Sequence, residues 1–192
     1  MIKIGARPKG RLIEQHDMYF GVGEEIGDFV EAINQHWSEV KNTWHLDAYR
    51  KVTVVDGHQI AWQPTENNSE PLKTELKLFF INLGGYLAGE FEEYHHKLLI
   101  VAPSQAEAIK QAKQCKFYKK FSFKEVTTPF NAAAHIDDKH QVDVDEIYEV
   151  NELLTKGRLV ITPCDNALPD DHAYIGYLSL KKLRQLHQNN KS

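Results

Sequence analysis

Two short stretches hold the residues best equipped for chemistry: Leu12–Asp17 reads LIEQHD and His45–Tyr49 reads HLDAY. Alternate side chains of an extended strand share a face, so Glu14 and His16 project together, as do His45 and Asp47. If the two strands are neighbours, two imidazoles and two carboxylates converge, with Asp17 completing the polar cluster Glu14, His16, Asp17, His45 and Asp47. Such a donor set suits Zn, Fe(II) or Mn, and His-x-Asp with a distant His has the spacing of a facial triad. A divalent metal would draw on His16, His45 and Asp47. A carboxylate beside an imidazole suits the orientation of a general base equally well. The architectural alternative is that a His flanked by Asp at a strand entrance satisfies backbone groups and fixes a turn.

Two further segments suggest binding. Arg7-Pro8-Lys9-Gly10-Arg11 places Arg7, Lys9 and Arg11 around a glycine, where backbone N–H groups and cations together suit an anion or a phosphate. A solvated turn explains the same residues. Lys116–Lys124 alternates basic and aromatic side chains in the manner of a single-strand nucleic-acid platform, or of an amphipathic element whose aromatics face a core. The phosphate-binding G-x-x-x-x-G-K-[ST] loop, the G-x-S-x-G elbow and the H-E-x-x-H helix are all missing. Gly21–Gly27 imitates a dinucleotide fingerprint, but its last glycine falls one place late and the preceding topology is wrong.

Composition narrows the partners. The 192 residues carry 23 Lys and Arg against 27 Asp and Glu, a formal net charge of -4, which disfavours nucleic acid. A hydrophobic share of 42% supports a sizeable core. No apolar run is long enough to span a bilayer, and MIKIGARPKGR lacks the apolar region of a secretory leader, so a cytoplasmic setting is expected. Cys115 and Cys164 stand apart from any C-x-x-C pair and read as small buried hydrophobes.

The elements that must position these residues recur. Residues 2–22 lie over 81–101 without a gap, matching Ile2/Ile81, Gly5/Gly84, Gly10/Gly89, Glu14/Glu93, His16/His95 and Val22/Val101. Residues 45–54 then lie over 135–144, sharing His, Asp and two valines. Each copy reads as a strand ending in a turn glycine (Gly5, Gly84), a loop, a second strand and a helix, then the His-x-Asp strand and another strand. Ile26, Phe29, Val30, Ile33 and Trp37 have the spacing of one helical face. Ser104 and Glu107 form a capping box ahead of a stripe of Ala106, Ile109 and Ala112. Asp56-Gly57 closes a hairpin between Val52–Val54 and Ile60–Trp62. The sequence therefore predicts an α+β fold built from a duplicated β-β-α-β-β unit, with helices on one side of an antiparallel or mixed sheet and a pseudo-two-fold. The predicted boundaries are 1–63 for the first unit, 64–75 for a linker, 76–163 for the second unit with an insertion about 119–134, and 164–192 for a C-terminal extension. That extension follows an added strand, Arg158–Thr162, and contains a helix, Leu178–Leu186.

Ile4-Gly5, Gly10, LIEQHD, Val22-Gly23, Trp37 and HLDAY, with Leu83–Tyr86, Glu93, His95 and His135–Asp137 in the second copy, resemble a bacterial family catalogued as domain of unknown function 1543. Its members carry one or two copies of the unit, and the resemblance implies a fold without supplying an activity. The second-copy equivalents of the cluster are Glu93, His95, His135 and Asp137. That copy departs where His96 replaces Asp17 and Asp138-Lys139 replaces Ala48-Tyr49, so a complete polar set is expected in the first. The function classes left open are a small binding or interaction module, with a homodimer as one form of it; a metal-assisted or acid–base enzyme; and a nucleic-acid partner. None involves a membrane.

Overall fold

The computed structural model describes residues 1–64, 75–122, 133–136, 147–155, 157–164, 168 and 171–190. The expected linker and insertion fall mostly on 65–74 and 123–132, outside that set. In chain order the elements begin with β1 (Ile2–Ala6), β2 (Gln15–Tyr19), a 3-10 turn (Ile26–Phe29), α1 (Val30–His36) and β3 (His45–Arg50). Next come β4 (Val54–Val55), β5 (His58–Pro64), β6 (Lys77–Tyr86), β7 (Glu93–Ala102), α2 (Gln105–Ala112) and α3 (Lys116–Lys120). They are followed by β8 (His135–Ile136), β9 (Ile147–Glu149), α4 (Val150–Leu153), β10 (Gly157–Pro163), β11 (Ala173–Ser179) and α5 (Leu180–Asn190). The fold is α+β, and every described strand pairing is antiparallel.

Two compact units emerge: Met1–Val54 with Leu168–Ser192, and Val55–Ala167. In the first, the sheet runs β11-β3-β1-β2. Ile2, Ile4 and Leu46 alternate onto one face and are buried against Val30 and Ile33 of α1 and Leu180 and Leu183 of α5. Ile26, Phe29 and Trp37 complete the helical face that their spacing predicts. Beneath it, Asn34 is a buried polar hub: its Oδ1 accepts from Trp44 Nε1 and from the Asn42 backbone N–H, both at 2.9 Å. A buried amide is tolerated because its partners are present.

In the second unit the sheet has β6 at its centre, with β7 on one side and β8 and β9 on the other. Phe79, Ile81, Leu83 and Ile100 pack against Ala108 and Ala112 of α2. Ser104 caps that helix by accepting from the Glu107 N–H at 3.3 Å. The buried stripe is Ala108 with Ala112, flanked by Ile109, whereas Ala106 is exposed. The helix is therefore rotated from the face its sequence spacing suggests, toward the small residues that let it approach the sheet. Asp56 and Gly57 have positive φ (50° and 71°), as a two-residue hairpin turn requires, and β5 pairs onward with β10.

β11 is not anticipated by the sequence, which places helix from Leu178. It is held by Asp171, which accepts from the Thr53 backbone N–H at 2.6 Å and the Val54 N–H at 2.9 Å, and from the Thr53 hydroxyl. The sequence also misjudges two glycines. Gly5 and Gly84 lie inside strands rather than at turns, and neither is among the positive-φ residues, which include Gly10, Gly57, Gly89 and Gly176.

Candidate metal centre

β1 separates the two strands that carry the cluster. Gly5 pairs with His16 of β2 on one side and His45 of β3 on the other. The two histidines therefore flank Gly5 rather than standing on adjacent strands, and the Glu14 and Asp47 carboxylates link them. A Cβ at Gly5 would lie 2.5 Å from His45 Nε2 and 2.8 Å from Asp47 Oδ2. Glycine is required here by the side chains crossing above it, which occupy the space any larger residue would fill.

Asp47 reaches the same point through a bulge. Between Lys3 and Ile4 of β1 the register shifts, so that β3 inserts Asp47 between Leu46 and Ala48. β11 inserts more still, with Gly176 and Tyr177 between Ile175, paired with Ala48, and Leu178, paired with Leu46. Bulges re-aim side chains. Here they bring Asp47 beside His45 and the Tyr177 ring over it, with ring centroids 4.5 Å apart.

The four ligand-bearing groups form a closed circuit. His16 Nε2 lies 3.2 Å from Glu14 Oε1 and 3.2 Å from Asp47 Oδ2; His45 Nε2 lies 3.4 Å from Glu14 Oε1 and 3.2 Å from Asp47 Oδ1. Glu14, His45 and Asp47 offer ligand atoms that all lie within 4.8 Å of one another. Metal–ligand bonds of about 2.0–2.1 Å put neighbouring donor atoms roughly 3.3 Å apart, so Glu14, His45 and Asp47 are spaced closely enough to share one ion, while His16 stands beside them and outside that group. Asp47 Oδ2 is buried and accepts no hydrogen bond. His16 stands at ion-pair distance from it without hydrogen-bond geometry, which leaves a lone pair directed into the cluster. The side chains grade from His45 (10% exposed) and Asp47 (20%) to His16 (40%) and Glu14 (44%), so the centre has a buried floor and an open rim.

Asp17 does not join this group. One residue along β2 it points to the opposite face, where its Oδ2 lies 2.8 Å from His36 Nε2 and its Oδ1 accepts from the Met18 N–H at 2.7 Å. The Tyr19 ring packs edge-on against His36. The hydrogen bond to Asp17 raises the His36 pKa, and burial opposes the rise without cancelling it.

In the second unit Gly84 pairs with His95 on one side and His135 on the other, the register seen around Gly5. Glu93 accepts from the Tyr86 hydroxyl at 2.6 Å. Asp137 and the His135 side chain lie outside the described residues. His96, at the position matching Asp17, stacks on Phe117 of α3, and burial, followed by the Lys97 charge, lowers its pKa.

The loop Arg7–Arg11 closes with the Arg11 N–H donating to the Pro8 carbonyl at 3.1 Å and Gly10 at φ 84°. Arg7, Lys9 and Arg11 are exposed. In Lys116–Lys124, Phe117 and Tyr118 pack against the core and Phe121 stacks on Phe117, so these aromatics are used internally. Lys124 lies outside the described residues.

Fold and site together define an α+β protein with a His/carboxylate cluster on the face of a four-stranded sheet. Residues 11–62 match the model of the family described as Domain of Unknown Function (DUF1543). That span contains Glu14, His16, His45 and Asp47 but stops short of Tyr177. The fold is similar to the crystal structure of a protein Il1583 from Idiomarina loihiensis, with TM-score 0.54, 20% identity, and 93% of this chain and 94% of that one covered. None of the curated proteins matches the sequence.

Proposed function

We propose that the first unit is a divalent-metal module, with Zn²⁺ the favoured ion and Fe(II) and Mn²⁺ the alternatives its nitrogen and oxygen donors admit. The observation that carries this is the circuit of donor atoms 3.2–3.4 Å apart above Gly5. His45 and Asp47 would hold the buried side of the ion and Glu14 the exposed side, with His16 beside Glu14 and Asp47 at the rim. An ion held by Glu14, His45 and Asp47 would keep a coordination position open and would supply Lewis acidity toward an oxygen of an incoming ligand. Tyr177 orients His45 by covering its ring, and Arg7, Lys9 and Arg11 give the loop leading to Glu14 an attraction for anions. We read the matching registers around Gly5 and Gly84 as traces of a duplication. A cytoplasmic setting suits the isolated thiols Cys115 and Cys164.

Elemental analysis of tag-free protein purified without chelator tests this. About one Zn, Fe or Mn per chain, lost in His45→Ala while the circular dichroism stays native, supports the metal reading. Metal-free wild type that binds none of the three ions on titration overturns it.

A second reading, an interaction module, is favoured by the exposure of Leu12, Ile13, Ile175 and Tyr177. It requires no ion at the cluster.

A further inference from the structure

Among the described residues β11 is an end strand of its sheet, and it contains no Asp, Glu, Lys, Arg or Pro. Tyr174, Ile175 and Tyr177 are 52%, 84% and 71% exposed. The opposite edge, β2, is blunted by His16 and Asp17. Proteins ordinarily protect an edge with charge, proline or a covering element, because its free N–H and C=O groups template another strand. We propose that β11 pairs antiparallel with β11 of a second copy of this chain, about a two-fold axis at Gly176.

The occupant follows from the strand itself. A two-fold contact brings each patch against itself, so a charge on the strand would face or neighbour its own copy. Ala173–Ser179 reads AYIGYLS, which is pseudo-palindromic about its glycine. Centring the pair there sets Ile175 against Tyr177, Tyr174 against Leu178 and Ala173 against Ser179 of the second copy. Each large pair joins an aromatic to an aliphatic side chain, a combination that stabilises cross-strand contacts. The faces agree as well. Tyr174 and Leu178 lie on the helix side, stacked on Tyr49 and packed on the core, while Ile175 is paired with Ala48 and Tyr177 covers His45 on the other side. Gly176, at φ 140° with open space where a Cβ would stand, lets two backbones approach at the axis.

Two seven-residue strands bury less than a standard interface, so a dimer with a dissociation constant of about 1–100 μM is expected. Sedimentation velocity over a concentration series tests it, with and without chelator. The wild type should move from monomer to dimer in both conditions, since the contact needs no ion. Ile175→Lys, at an exposed position, should weaken the dimer by roughly a hundredfold through like charges at the axis, with the circular dichroism unchanged. Ile175→Val should leave it intact. A second variant carries Ala173→Cys with Ser179→Cys. These positions are six residues apart on one strand, roughly 20 Å and too far for an internal disulfide, so oxidation should give a covalent dimer only if the proposed register forms. A monomeric wild type up to about 0.5 mM would overturn the proposal. So would a dimer indifferent to Ile175→Lys, or a double-cysteine variant that stays monomeric on oxidation.

Discussion

At the scale of residues, the centre depends on what Gly5 lacks. Gly5→Ala should fold, because the Cβ would meet the tip of the His45 side chain, which can swing aside, rather than backbone. The displaced imidazole should cost metal affinity about 10–100-fold, as misplacing a ligand's support does elsewhere. Isothermal titration with Zn²⁺ checks this, and unchanged affinity would show that His45 is not a ligand. Asp47→Asn keeps shape but removes the charge and a lone pair, so it should lose affinity by at least as much with little change in melting temperature. The pairing of Glu14 with His16 and of His45 with Asp47 is legible from alternation alone. Separating Asp17 from them follows from the same rule, since neighbours on a strand face opposite ways. His36, its partner, is nineteen residues away and carries no signal in sequence.

At the scale of elements, β11 and its anchor decide whether the site has a roof. Burial pushes the Asp171 pKa up, but hydrogen bonds from Thr53 and Val54 and the Arg50 charge outweigh it, and the net shift is downward. A folded pKa below the unfolded one means that Asp171 stabilises the fold fully above the unfolded value of roughly 3.9. That contribution is lost as pH falls through the folded value. Asp171→Asn should therefore lower stability by about 1–3 kcal/mol at pH 7 and make little difference at strongly acid pH, measured by urea denaturation. Equal loss at both ends of the pH range would refute this. His36 runs the other way. Its raised pKa means that the pair with Asp17 contributes fully below about 6.5 and fades as pH rises through the folded value. Asp17→Asn should lower the His36 pKa, read by NMR titration of the ring protons, and leave metal content untouched because the pair lies on the other face.

At the scale of the whole molecule, an ion bound only by the folded state should stabilise it by mass action, about 2.7 kcal/mol when free metal is a hundred times the dissociation constant. Melting temperature should thus rise with Zn²⁺ in the wild type, fall back with chelator, and fail to respond in the double variant His16→Ala, His45→Ala. A rise that survives in this variant would locate the ion elsewhere. Among the described residues no helix is long and apolar enough to cross a membrane.

By itself the sequence determined the α+β class, the helical face Ile26–Trp37, the Asp56-Gly57 hairpin and which of the polar residues share a face along each strand. Each is a local matter, set by the period of hydrophobic residues, by turn chemistry or by side-chain alternation along one strand. Only the tertiary structure decided that β1 lies between the two His-bearing strands, that Gly5 serves as a floor rather than a turn, and that His36 is the partner of Asp17. It also placed β11, from beyond residue 170, beside β3 and turned Tyr177 over His45. Strand order and bulges are chosen by competition among distant segments for the same hydrogen bonds and the same core. Periodicity within a segment says which face is apolar and is silent about which neighbour that face will find.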